Sequence, residues 1–255
     1  MVKMDILKYL KREASQDRAA LKALFDANWY RLRYADIGKA GVDPFTHYME
    51  TGWKEGREPF PLFDPAWYGR QFPELASQAI PPLHHYLSIG AQEGASPSPL
   101  FDAKAYIRRH PEACEPGTNA LLHFLAAPVD PDFNPCPLFN TSWYLGANPA
   151  IAAGPENYLL HFARAGAFEG LNPSPDFDCD WYLEQNPDVA DSGANPLAHY
   201  ITAGADEGRR PCPPSPLDWL NLHAAELPDD PDEPENWIGA YERYGEYSAA
   251  HTGRP

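Results

Sequence analysis

The stretch Phe177–Pro211, FDCDWYLEQNPDVADSGANPLAHYITAGADEGRRP, decides the fold, because four earlier copies of it precede it at a fixed spacing of 38 residues. The copies begin at Leu24, Leu62, Leu100, Leu138 and Asp176, without insertion or deletion between them. Phe fills the second position of every copy and Tyr the seventh: Tyr30, Tyr68, Tyr106, Tyr144 and Tyr182. One histidine per copy follows, at His47, His85, His123, His161 and His199. A period of this length marks tandem supersecondary units, each too small to bury its apolar face alone.

Each unit reads as three short helices. Asp26, Asp64, Asp102, Asn140 and Asp178 stand where a first helix needs its N-cap. Pro65 occupies a first helical position, where its missing N–H costs nothing. Asn148-Pro149 and Asn186-Pro187 repeat the cap-plus-proline signal for a second helix, and Asp43-Pro44 and Asn195-Pro196 for a third. The third helix carries its apolar residues on one face, as in Leu197, Tyr200 and Ile201. Gly52, Gly90, Gly166 and Gly204 are expected to supply left-handed stops. No stretch alternates like a strand. The expected fold is all-α: an elongated, curved solenoid over residues 24–213, with an amphipathic capping helix at 1–23 and a degenerate capping repeat with an acidic loop at 214–255.

Composition narrows the function. A net charge of −16 argues against nucleic-acid binding, which needs a basic footprint. Residues 1–24 hold six Lys/Arg and three Asp/Glu, so the rest of the chain carries 14 basic against 33 acidic side chains. No apolar run approaches the ~18 residues of a membrane span. Four cysteines form no C-x-x-C pair, which suits reduced thiols in the cytoplasm. A membrane-peripheral placement through the first helix is the alternative.

The histidines invite a metal site, but spacing speaks against one. Equivalent residues of packed units lie roughly 8–10 Å apart, whereas zinc ligands sit within ~2.1 Å of the ion. They are read as structural, hydrogen-bonding across contacts between units. Asp130-x-Asp132-x-Asn134 begins like a calcium loop and fails at Pro135 and Thr141. Dinucleotide, P-loop, nucleophile-elbow and zinc-protease motifs are absent. No catalytic residue, metal or cofactor is expected.

The third copy departs from the rest: Pro128 replaces the glycine, and Pro131-Asp132 stands where Glu-Gly belongs. Positions shared by all units are occupied by packing, so a partner must read positions that vary. The candidates are the segment from Ala126 to Asn134, with Pro128, Asp130, Asp132, Phe133 and Asn134, and the basic face of the first helix, with Lys8, Lys11 and Arg12.

The unit from Phe177 to Pro211 resembles a bacterial repeat found beside the catalytic domains of surface-polysaccharide glycosyltransferases of the rhamnan-synthesis type, and in RTX-type secreted proteins. The resemblance covers residues 24–213 and brings no active-site residue with it. It implies a non-catalytic scaffold or protein-interaction module, accessory to or N-terminal part of a polysaccharide glycosyltransferase system, monomeric, with a protein or glycan-assembly enzyme as partner. A glycan-processing component and an RTX-like secreted adhesin module are the alternatives.

Overall fold

The computed structural model describes residues 21, 22, 24–78, 80–115, 118–215, 218 and 244. The expected capping helix at 1–23, with Lys8, Lys11 and Arg12, lies almost wholly outside them, as does most of 214–255. Among the described residues the fold is all-α, with two isolated bridges, Ser98–Phe101 and Ser174–Phe177, and no strand. No helix among them is long and apolar enough to cross a membrane.

The first copy holds α1 (Ala27–Arg33), α2 (Ala35–Ala40) and α3 (Pro44–His47), which widens into a π-helical turn over Tyr48–Gly52. The second holds α4 (Pro65–Gln71), α5 (Leu75–Gln78) and α6 (Pro82–His85), with its π turn at Tyr86–Gly90. The third has α7 (Ala103–Arg109), a 3-10 turn at Pro111–Cys114 and α8 (Ala120–Ala126). The fourth has α9 (Thr141–Ala147), α10 (Pro149–Ala152), α11 (Tyr158–Arg164) and a 3-10 turn at Gly166–Phe168. The fifth has α12 (Cys179–Gln185), α13 (Pro187–Ser192) and α14 (Pro196–His199), with a π turn at Tyr200–Gly204. The three copies that open their third helix on proline are the three that widen into a π turn.

Helices this short do not persist alone, and the first helix of each copy is held by a cap and a strap. Asp26, Asp64, Asp102, Asn140 and Asp178 accept N–H donors of the first turns of α1, α4, α7, α9 and α12, at 2.8–3.1 Å. Their own backbone N–H groups donate to the carbonyls of Pro59, Pro97, Pro135, Pro173 and Pro211. That bond joins the two ends of every unit.

Inside each unit three rings meet. Tyr30, Tyr68, Tyr106, Tyr144 and Tyr182 and the preceding Phe of each copy are buried. Each pair packs with a ring from the third helix, as in Phe63, Tyr68 and Tyr86, whose centroids lie 5.4–5.6 Å apart in tilted and edge-to-face arrangements. The same triad forms in the other four copies.

Three expectations change. Gly52, Gly90, Gly166 and Gly204 are not left-handed; positive φ falls instead at Gly41, Gly56, Gly94, Gly170, Gly193 and Gly208. The four glycines are needed because the tyrosine hydroxyl lies against them. A Cβ at Gly52, Gly90 or Gly204 would overlap the hydroxyl of Tyr30, Tyr68 or Tyr182, and at Gly166 it would lie 2.8 Å from that of Tyr144. Asn148 and Asn186 cap no second helix with their side chains. Their amides instead donate to the carbonyls of Tyr144 (2.8 Å) and Tyr182 (2.7 Å), closing the first helices.

The array is also not extended. Arg164 of the fourth copy pairs with Asp26 of the first at 2.7 Å, and Arg33 donates to the Ser192 carbonyl of the fifth at 3.3 Å. These contacts place the first copy against the fourth and fifth.

The tyrosine–glycine contact can be tested by a double-mutant cycle. Gly204→Ala should cost about 1–3 kcal/mol in urea unfolding, and Tyr182→Phe about 1 kcal/mol. The double variant should lose clearly less than their sum, because removing the hydroxyl opens room for the methyl. Gly69→Ala, inside α4 with open space around its Cβ, should instead be stabilising by roughly 0.5–1 kcal/mol.

Candidate functional site

The histidine ladder is built inside the units, not across their contacts as expected. Nδ1 of His47, His85, His123 and His199 is hydrogen-bonded to the hydroxyl of Tyr30, Tyr68, Tyr106 and Tyr182 of the same copy, at 2.7–3.0 Å. His161 and Tyr144 are the exception: His161 Nδ1 and the Tyr144 hydroxyl are buried without a partner. This copy also lacks the π turn. Contacts between copies use other groups. The Tyr86 hydroxyl donates to Asn119 Oδ1 at 3.2 Å, and the Asn157 amide donates to the Phe124 carbonyl at 3.2 Å.

The segment from Ala126 to Asn134 is wound into the fold more closely than its irregular sequence suggests. Phe133 is buried and packs on Phe101, Tyr106 and Phe124. Asn134 Oδ1 accepts the Thr141 N–H at 3.0 Å. Asp130 forms an ion pair with Arg109, and lies 3.4 Å from His110 Nε2. Arg109 holds the Asp130 carboxyl below the usual range. The first and fifth copies form an ion pair at other unit positions: Asp36 with Arg57 and Asp188 with Arg209, each at 2.8 Å. Pro128 and Asp132 remain exposed, as do the nearby side chains of Leu122 and Val129. Trp53 is half-buried, and its indole donates to the Met49 carbonyl at 3.1 Å.

A concave site lies where the first copy meets the fourth and fifth. A cavity of about 750 Å³ is walled by α1, the chain from Glu58 to Asp64, the Ser98–Leu100 turn, the end of α11, and Gly193 to Thr202. That volume falls within the usual range of small-molecule sites, roughly 300–1,000 Å³. Trp29, Phe63, Leu32 and Phe168 give it an apolar wall. Leu32 is 83% exposed and Phe168 46%, so two of the most exposed large apolar side chains stand at its edge.

Its polar groups are fixed by pairing. Arg164 is shared between Asp26 and Glu156, at 2.7 and 2.6 Å. Arg33 lies over Gly193, whose φ of +64° and close approach to the guanidinium both exclude a side chain. The Ser98 hydroxyl is buried without a partner. Glu58 is half-buried, and burial, opposed by Arg33 and reinforced by Asp64, pushes its carboxyl up to about 7. Perturbed titration in a cleft marks a candidate site. Sequence reasoning missed the cavity, since nothing local announces that residues 26 and 164 meet. One signal was present: Glu58 occupies a unit position that holds Ser96, Asn134 and Asn172 elsewhere.

Comparison with family models, curated proteins and solved structures finds no match to this chain.

The ladder gives a pH prediction. Burial lowers the pKa of His85, with His84 acting in the same sense and Glu74 and Glu93 against it. The unfolded chain then binds more protons than the folded one below the ordinary histidine value of about 6.5. This contribution to stability is complete above that value and is lost as pH falls through it. Urea midpoints between pH 7 and pH 5 should fall less steeply in His85→Asn than in the parent.

Proposed function

We propose that the chain is a non-catalytic helical-repeat scaffold: five units in a tightly curved solenoid that acts as a protein-interaction module. The observation that carries this reading is the use made of the shared residues. In each copy the repeated Phe, Tyr, His and, where present, Gly converge on one internal cluster, so they build the framework and leave recognition to the positions that differ. The polysaccharide setting follows from the repeat's resemblance: the partner is a glycosyltransferase or another glycan-assembly enzyme, and the complex works in the cytoplasm at the membrane face.

The partner surface we favour is the outside of the third copy. There Leu122 and Val129, 40% and 47% exposed, flank exposed Pro128. Isolated exposed apolar side chains are ordinary. A pair beside a rigid proline, on a segment anchored from behind by Phe133 and Asp130, is a preformed docking surface.

The experiment is co-purification with a surface-polysaccharide glycosyltransferase of the rhamnan-synthesis type. The parent should hold it. Leu122→Ser/Val129→Ser should release it, while urea stability changes by no more than about 1 kcal/mol. Turnover of a nucleotide sugar by the purified chain alone, or undiminished capture by the double variant, would overturn the reading.

A further inference from the structure

Three copies use one device to join a unit to the next. The Ser96 hydroxyl accepts the Ala103 N–H at 3.2 Å, Asn134 Oδ1 the Thr141 N–H at 3.0 Å, and Asn172 Oδ1 the Cys179 N–H at 2.8 Å. Each acceptor lies seven residues before its donor. In the first copy the acceptor position is Glu58 and the donor position is Pro65, which has no N–H to give. The Glu58 carboxylate is thereby freed from the joint, and it accepts no hydrogen bond and forms no ion pair among the described residues. It stands in the wall of the 750 Å³ cavity, with Trp29 and Phe63 among the apolar side chains that share that wall.

The charges around it leave a place for a cation. Asp26 and Arg164 neutralise each other, and Arg164 is further held by Glu156. Asp64 caps α4 and adds negative charge. Arg33 offers Glu58 partial compensation and is itself directed to the Ser192 carbonyl. Tyr34 contributes only its hydroxyl oxygen, which accepts the Glu58 N–H at 2.8 Å. His199 is tied to Tyr182, and burial and Arg209 disfavour its charged form. An anionic ligand would meet Glu58 and Asp64, and a neutral one would leave the carboxylate uncompensated.

We propose that this cavity binds a small organic ammonium ion, an apolar or aromatic body carrying one positive nitrogen, with Glu58 as its counter-ion and the Trp29 face beside it. A cation on an indole face gains about 0.5–2 kcal/mol, more as water is excluded. The net charge of −16 draws cations towards the protein. An apolar body would cover Leu32 and Phe168, which the fold leaves exposed.

The test is calorimetric titration of the full chain with 2-phenylethylamine and tetramethylammonium, against 2-phenylethanol and 3-phenylpropionate as neutral and anionic counterparts. Both cations should bind at least tenfold more tightly than either counterpart. Cation binding favours ionised Glu58, so affinity should rise roughly ten-fold from pH 6 to pH 8, following a carboxylate that titrates near 7. Burial and Arg209 hold the pKa of His199 below the ordinary histidine value. Glu58→Gln, unchanged in thermal midpoint, should lose at least tenfold in affinity and flatten the pH profile. Trp29→Phe should weaken both cations and leave the profile intact. Equal binding of 2-phenylethanol, preference for 3-phenylpropionate, unchanged binding by Glu58→Gln, or no saturable binding of either cation up to about 10 mM would each overturn the proposal.

Discussion

The structure depends on how one tyrosine per unit is surrounded. Tyr68 shows the arrangement: its ring packs on Phe63 and Tyr86, its hydroxyl is bonded to His85 Nδ1, and that hydroxyl fills the space a Gly90 side chain would need. Four features that recur along the sequence are therefore one contact set. A buried hydroxyl without a partner costs about 1–3 kcal/mol, so the histidine is required by the tyrosine. The hydroxyl's nearness to the backbone in turn requires the glycine. The fourth copy keeps all three residues yet leaves Tyr144 and His161 unbonded. There the third helix ends in a 3-10 turn rather than a π turn.

From that unit the larger form follows by repetition. The bond from each N-cap N–H to the proline carbonyl near the end of its copy makes each unit a closed loop, and side-chain acceptors such as Asn172 fix one loop against the next. Three joints separate the first copy from the fourth, where Arg164 lies 2.7 Å from Asp26. The closure rests on a half-exposed ion pair worth at most about 1 kcal/mol and one backbone contact. The curvature built into the joints, not the closing pair, must set the shape of the cavity.

The first-helix caps and the buried Phe and Tyr positions were legible because they depend on residues close in sequence or on the period itself. The partners of His47 and its equivalents were not, because a shared position does not say which neighbour it serves. The shared glycines were legible as glycines and misread in cause: Gly204 and Gly208 are both compatible with a helix end, and only the backbone shows that Gly208 is the left-handed one. Asn186 misled for a similar reason. An Asn-Pro pair can open a helix or close the one before it, and the amide of Asn186 is 2.7 Å from the Tyr182 carbonyl. The cavity was beyond reach, since it needs the summed curvature of several units.

Copies that differ are informative in a way that shared positions are not. In the third copy the unit positions of Asp36 and Arg57 hold Glu112 and Phe133, and an ion pair between Arg109 and Asp130 forms three positions earlier. Burying Phe133 then fixes the chain that follows. The Arg109–Asp130 pair and the buried Phe133 ring hold this unit's fold while it shows a different face to solvent. The pairing of Glu58 with Pro65 has the opposite logic. Proline stabilises the start of α4 by fixing its φ, and it removes the donor that would have held the side chain at 58. Serine or asparagine there would have left a small neutral group. Glutamate instead places a charge in a partly closed, largely apolar space, where burial raises its pKa. A charge kept at such a cost, at a joint position that holds neutral Ser96, Asn134 and Asn172 in the next three copies, is the strongest mark of use that the fold carries.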